Sequence, residues 1–265
     1  MRLIMEPLRQ QTVTRYVTPL REGGSLPAVA DADDGFQYVL KFRGAGHGTK
    51  ALVAELIGGE VARATGFRVP ELVLLDVGEE FGRTEPDEEI QDLLKASRGV
   101  NLGMHFLSGA FTVDPYVNGI DATTASRIVW LDAFLTNVDR TALNTNMLVW
   151  KGELWLIDHG ASLYFHHSWR NVEEAPLTPF SFIRDHALLA KASGLEEADS
   201  WMRQHITPRT LEKIVDLVPD EWLDYGMEGV SVQDVRQQYK RFLTTRLKNS
   251  RIFVNEAIDA RRRLI

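Results

Sequence analysis

The chain from Asp139 to Gly160 reads Asp-Arg-Thr-Ala-Leu-Asn-Thr-Asn-Met-Leu-Val-Trp-Lys-Gly-Glu-Leu-Trp-Leu-Ile-Asp-His-Gly. Met147 to Trp150 and Leu154 to Ile157 are short apolar runs rich in strand formers. The Lys151-Gly152 pair between them suits a tight hairpin turn, because glycine tolerates positive φ. A hairpin returns the chain to where it started. Asp158, at the end of the returning strand, is therefore expected beside Asn144, although fourteen positions separate them.

Those residue types in that pattern suit a particular chemistry. A carboxylate beside a neutral carboxamide offers two hard oxygen donors, the preference of Mg²⁺, which keeps several waters and takes the rest of its shell from substrate phosphates. Asp139, five positions before Asn144, is then free to orient an incoming hydroxyl and accept its proton, while rate comes mainly from positioning and charge neutralisation. The set points to phosphoryl transfer from ATP. Singly, each of these residues is ordinary turn chemistry, since Asp and Asn side chains hydrogen-bond nearby backbone. Their combination with an apolar hairpin ending in Asp158-His159-Gly160 carries the reading.

Three segments, Thr136-Asn137-Val138-Asp139-Arg140-Thr141, Leu156-Ile157-Asp158-His159-Gly160 and the aromatic, histidine-rich Tyr164-Phe165-His166-His167, resemble the catalytic core of the HipA-like kinases. This is a branch of the atypical kinases that includes the phosphoinositide 3- and 4-kinase fold, and Asp139-Arg140 with Asn144 parallels the Asp-Arg-x-x-x-Asn of that wider group. The likeness to short bacterial HipA-like proteins runs through most of the chain. It implies an α+β, two-lobed, ATP- and Mg²⁺-dependent kinase fold: a strand-rich N-terminal lobe over residues 1–99 and a mainly helical C-terminal lobe over residues 100–265. Ser/Thr protein phosphorylation is the activity it implies. Asn144 stands at the family's distance from Asp139, whereas Asn146 directly precedes the strand, as the metal-binding asparagine does in phosphoinositide kinases; Asn144 is preferred and Asn146 is the alternative. His159 occupies a position where many kinases carry phenylalanine. The chain is shorter than a full-length HipA toxin, which leaves a protein partner or self-association open.

A kinase needs a lysine on an N-terminal strand and a glutamate on the next helix. Phe36 to Phe42 alternates as a strand should, with Lys41 inside it. Lys50 to Thr65 reads as a helix carrying Glu55 and Glu60, with Leu52, Leu56 and Gly59 on one stripe and Val53, Ile57 and Val61 on its neighbour. By its distance to Gly66 and Val69-Pro70, Glu55 corresponds to the helix glutamate of HipA-like proteins and is expected to orient Lys41 toward the α- and β-phosphates; Glu60 is expected at the surface. Two glycine-rich stretches flank the strand: Glu22-Gly23-Gly24-Ser25, and Gly44-Ala45-Gly46-His47-Gly48-Thr49-Lys50. Neither has the Walker A order. Gly23, Gly24, Gly46, Gly48 and Lys50 are candidate nucleotide contacts, since backbone amides leading into a helix N-terminus bind phosphate well. Val100 to Leu107, with Gly103 and Met104 inside it, is expected to run past the adenine, though a plain buried strand fits the same residues.

Composition fits an ordinary intracellular enzyme: 265 residues, 44% apolar, 25% charged and no cysteine. No disulfide scaffold or cysteine metal site is available to it. A net charge of −7 argues against a general nucleic-acid surface. Met1 to Pro7 lacks a signal-peptide apolar stretch, and no uncharged run approaches the ~20 residues needed to span a bilayer, so a cytoplasmic protein is expected. The acidic Gly78 to Glu89 reads as a loop before a short helix. Ile128, Trp130, Leu131, Phe134 and Leu135 bury one face of a helix leading to Asn137. Thr207-Pro208 and Pro219 mark helix starts, and Ser231 to Arg263 holds one long or two consecutive helices. His159, His166 and His167 lack the spacing of a helical zinc pair and suit structural or substrate-facing roles. The acceptor, a protein by family likeness, could equally be a small molecule or lipid on the same chemistry; a non-catalytic nucleotide- or partner-binding module is the third reading.

Overall fold

A computed structural model of the chain describes residues 7–20, 26–79, 87–114, 119–169 and 171–264. Gly23 and Gly24 lie outside these described residues. In the N-terminal part β1 (Gln10–Pro19), β2 (Ala28–Ala32) and β3 (Gln37–Lys41) are followed by α1 (Thr49–Ala64), β4 (Leu72–Val77), α2 (Glu88–Ala96) and β5 (Gly99–His105). The five strands close into a barrel in the order β1-β2-β3-β5-β4, with a parallel β1–β4 pairing sealing it. Alternation decides what each strand residue does. On β3, Tyr38 and Leu40 are fully buried inside the barrel, and Val39 and Lys41 project from its other side. Small residues make this interior possible: Ala28 and Ala30 of β2 sit opposite Leu40 and Tyr38. Leu94 of α2 packs into the same cluster.

β5 pairs with both β3 and β4. The expected lobe boundary at 99/100 therefore falls at the start of a strand that completes the barrel.

The remainder is mainly helical: β6 (Phe111–Thr112), α3 (Ala122–Leu135), the hairpin β7 (Met147–Trp150) and β8 (Glu153–Leu156), four 3-10 turns, then α4 (Leu195–His205), α5 (Pro208–Asp216), α6 (Asp220–Leu223), α7 (Val232–Lys248) and α8 (Arg251–Leu264). β6, β7 and β8 form a small antiparallel sheet. The hairpin turn has Lys151 at φ 50° and Gly152 at φ 79°, the two positive values a tight primed turn demands. The C-terminal segment is two helices; the first opens on a capping box between Ser231 and Asp234. Arg246 of α7 is fully buried with no carboxylate partner among the described residues, and donates instead to the carbonyls of Ala133, Phe134, Pro176 and Thr178. It thus satisfies the last turn of α3 and holds the segment downstream of the hairpin against it.

α1 is enclosed on nearly every side, with residues Leu52 through Ala62 all buried. Glu60, expected at the surface, is among them and pairs with Arg63 at 3.2 Å, whose guanidinium also donates to the carbonyls of Val69 and Pro70; α5 and α6 of the C-terminal part and β5 pack on the same helix. Trp222 of α6 donates its indole N–H to the Val100 carbonyl at 2.9 Å, and Glu221 pairs with Arg43. Gly58 and Gly59 permit the close approach of His159 and Leu72 to the helix. A Cβ on Gly58 would stand 2.5 Å from the His159 Cβ, and one on Gly59 would stand 2.9 Å from Leu72 Cδ1. Gly58→Ala is expected to cost about 1–3 kcal/mol of stability by overpacking, whereas Gly46→Ala, where a Cβ meets nothing within 4 Å, should be nearly neutral. Equal denaturant midpoints for the two variants would refute the packing argument.

Candidate active site

Lys41, Glu55 and Asp158 come from β3, α1 and the residues after β8, and they meet. The Lys41 Nζ lies 2.5 Å from Glu55 Oε2 and 2.7 Å from Asp158 Oδ1. Burial works against the Lys41 ammonium, yet the Asp158 and Glu55 charges outweigh it and hold its pKa above the ordinary value. Burial likewise works against ionised Glu55 and is outweighed by Lys41, so its carboxyl stays below the usual range. Asp158 has φ 55°, a left-handed conformation that costs a non-glycine residue about 1–2 kcal/mol. The neighbouring His159 is fully buried on Gly58 of α1, with its Nδ1 3.8 Å from Glu55 Oε1, too far for a hydrogen bond.

On the facing side, Asp139 Oδ2 accepts from Asn144 Nδ2 at 2.7 Å and from Asn146 Nδ2 at 3.1 Å. Partial burial raises the Asp139 pKa above its ordinary value, with the Asp158 charge adding to the rise and the amide hydrogen bonds opposing it. Asn144 is exposed. Asn146 is buried, left-handed at φ 48°, and its carbonyl accepts the Ile157 N–H at 3.0 Å. Asn146 is thus locked one residue from Asp158 across the hairpin.

A buried cluster that sequence reasoning missed supports this loop. Asp132 of α3 accepts from Asn137 Nδ2 at 2.9 Å, from Arg140 Nε at 2.6 Å and from His186 Nε2 at 2.9 Å. His186 Nδ1 accepts the Leu188 N–H, so the ring proton sits on Nε2 and is donated to Asp132. Arg140 also donates to the carbonyls of Thr145 and Asn146. A lone aspartate inside the apolar run Ile128–Leu135 was the available signal. His186, far along the chain, had none.

Lys41, Asp158, Asp139 and both asparagines line one cleft of about 1890 Å³ between the barrel and the helical part. Lys41, Gly46, Gly48, Met104, Asp139, Asn144, Asn146 and Asp158 border it, together with Val39, His47, Tyr164 and His167. Three candidates do not: Glu55 sits behind Lys41, which it holds, and Gly103 and Lys50 face elsewhere. Gly103 alternates with Met104 and faces inward, where a Cβ would meet Leu75 Cδ1 at 2.5 Å. Lys50 turns away, its Nζ lying 5.1 Å from the Tyr225 ring centroid, because α1 begins before it and carries it around the helix.

A family profile described as HipA-like kinase matches residues 13–251. The chain belongs to the HipA-like kinase family. It is therefore a phosphotransferase with a kinase fold. Among solved structures, the Helicobacter pylori proinflammatory kinase CtkA aligns at TM-score 0.57 and 13% identity, covering 97% of this chain and 99% of that one. A Golgi casein kinase with Mn/ADP bound aligns at TM-score 0.49 and 13% identity, covering 97% of this chain and 74% of that one. No curated protein sequence matches the chain. Among the described residues of this kinase, no helix is long and apolar enough to cross a membrane.

Proposed function

We propose that the chain is an ATP- and Mg²⁺-dependent protein kinase that transfers the γ-phosphoryl group of ATP to a Ser or Thr hydroxyl. The observation that carries this is Lys41 bridging Glu55 and Asp158 directly across a cleft from Asp139. Lys41, held by two carboxylates, is the cation for the α- and β-phosphates, and Glu55 fixes its otherwise mobile stem. Gly46, Gly48 and Met104 are candidate contacts for the rest of the nucleotide. Asp158 and a nearby asparagine offer one carboxylate and one amide oxygen, a hard donor set that suits Mg²⁺ when phosphates complete the shell. Between the two amides we favour Asn146 for its burial and its lock to Ile157, with Asn144 holding Asp139. When bound, the cation neutralises charge on the transferring phosphoryl group.

Both asparagines engage Asp139 through Oδ2, which leaves Oδ1 for the acceptor. In the reaction the acceptor oxygen bonds the γ-phosphorus, the bond from that phosphorus to the β,γ-bridging oxygen breaks, ADP departs, and the hydroxyl proton passes to Asp139. Lys41, Glu55 and Asp139 are thus the proposed catalytic set.

Incubation of the purified chain with γ-labelled ATP, alone and with cell lysate, tests this: label on Ser or Thr of proteins is expected. Label confined to extractable metabolites would replace the acceptor, and absence of any transfer would refute the reading. Asp158→Ala is expected to abolish Mg²⁺-dependent nucleotide binding in a calorimetric titration, and Asn146→Ala to weaken it more than Asn144→Ala. Unchanged MgATP affinity in Asp158→Ala would remove the metal assignment.

A further inference from the structure

We infer that the rim of the cleft beyond Asp158 is a docking shelf for an acceptor polypeptide that carries an acidic side chain near its accepting hydroxyl. His47 and His167 take the anion, with Lys50 adding its charge from outside the cleft, and Tyr164, Phe182 and Leu143 take apolar side chains. This rests on the protein-kinase reading and names the acceptor class within it.

Three segments distant in sequence converge here. The His47 and His167 rings stand edge to face with centroids 5.4 Å apart; Tyr164 contacts His167 at 5.7 Å and Phe182 at 6.2 Å. The result is one continuous ridge from imidazole to aromatic surface. Tyr164 and Leu143 border the same cleft as Asp139, so the ridge opens onto the base.

The basic groups on this rim are unopposed. Among the described residues no ion pair joins His47, Lys50 or His167 to a carboxylate, in a chain whose net charge is −7. Burial depresses the His167 pKa, and the nearby charges of His47 and Lys50 depress it further. A bound anion would relieve that crowding. Behind His167, with ring centroids 4.5 Å apart, His166 is fully buried and its Nε2 has no hydrogen-bond partner among the described residues.

Lys50 is not placed for the nucleotide's phosphates. Five residues along an α-helix turn a side chain by about 140°, so Lys50 points away from Glu55, whose carboxylate reaches Lys41. Nζ of Lys50 lies instead over Tyr225 of the helical part.

The apolar half of the shelf is bare. Leu143 is 102% exposed, Tyr164 55% and Phe182 50%. Large side chains left open beside a catalytic cleft mark a recognition surface. A small molecule needs enclosure; an open ridge suits an extended chain, with charge complementarity selecting an acidic one.

Two fluorescent serine peptides test the inference, one with glutamates flanking the serine and one with glutamines in their place. They are titrated into the full chain with and without MgADP. The glutamate peptide is expected to bind about tenfold tighter, the scale of a charge-assisted hydrogen bond. His47→Gln combined with His167→Gln should remove most of that preference, and Lys50→Gln part of it, with the glutamine peptide barely affected. Equal affinities, or a preference that survives the double substitution, would overturn the inference. So would a preference that disappears on adding MgADP, since the anion would then have been occupying the nucleotide's phosphate positions. The readout is binding, so failure of phosphoryl transfer from labelled ATP counts against the proposed reaction and not against the shelf.

Discussion

Asp139→Asn is expected to lower kcat by roughly 10²–10⁴-fold, the range for losing a positioned general base, with MgATP affinity retained because Lys41 and Asp158 are untouched. The substitution keeps the side chain's size while removing its basicity. Its pH profile sharpens the test. A base must be ionised to act, and burial beside Asp158 raises the Asp139 pKa, so kcat/KM should climb with pH through a limb displaced above the ordinary aspartate range. That limb should vanish in Asp139→Asn. A variant that keeps more than a tenth of wild-type turnover, or the same acid limb, would assign the base elsewhere.

The second large effect is on stability. Asp132 and Arg140 are both fully buried and 2.6 Å apart, and Asp132→Ala would leave a guanidinium without its counter-charge in the interior. Breaking such a pair costs about 3–5 kcal/mol, which for a protein of this size lowers Tm by about 10 °C. The sign of the pH dependence follows from the depressed Asp132 pKa. Burial opposes its ionised form, but Arg140 and His186 outweigh that. The carboxylate therefore contributes stability above its unfolded-state pKa of about 3.9, and the contribution fades as pH falls toward the folded value. The gap between wild type and Asp132→Asn should narrow in acid by the same route. A Tm close to wild type in both variants would mean that the Thr145 and Asn146 carbonyls suffice for Arg140.

Much of the site was readable because its signals are local. Strand alternation located Lys41, helical periodicity gave the helix on which family likeness in the distance to Gly66 and Val69-Pro70 singled out Glu55, and a two-residue turn located the hairpin that returns Asp158 to the loop. Each depends on spacings within a single element or across one tight turn. What stayed hidden depends on contacts between distant segments. Asp132 looks like any polar residue in a helix until His186 and Arg140 arrive beside it. Glu60 reads as a surface acid until Arg63, tied to the Val69 and Pro70 carbonyls, folds over it. Lys50 follows a glycine loop and so resembles a phosphate ligand, yet helical rotation carries it to Tyr225. Strand alternation would have separated Gly103 from Met104, had the inner face of β5 been known in advance.

The grip of the C-terminal part on α1 has a further consequence. Many kinases switch by swinging the glutamate-bearing helix outward until its ion pair with the strand lysine breaks. Here that pivot is jammed: outward rotation would have to tear Trp222 from Val100 and Glu221 from Arg43 and expose a helix buried from Leu52 to Ala62. The ion pair between Lys41 and Glu55 is thus built into the packing of the two parts. A fragment ending before Thr207 would retain every proposed catalytic side chain and still lose the brace that keeps Glu55 in register.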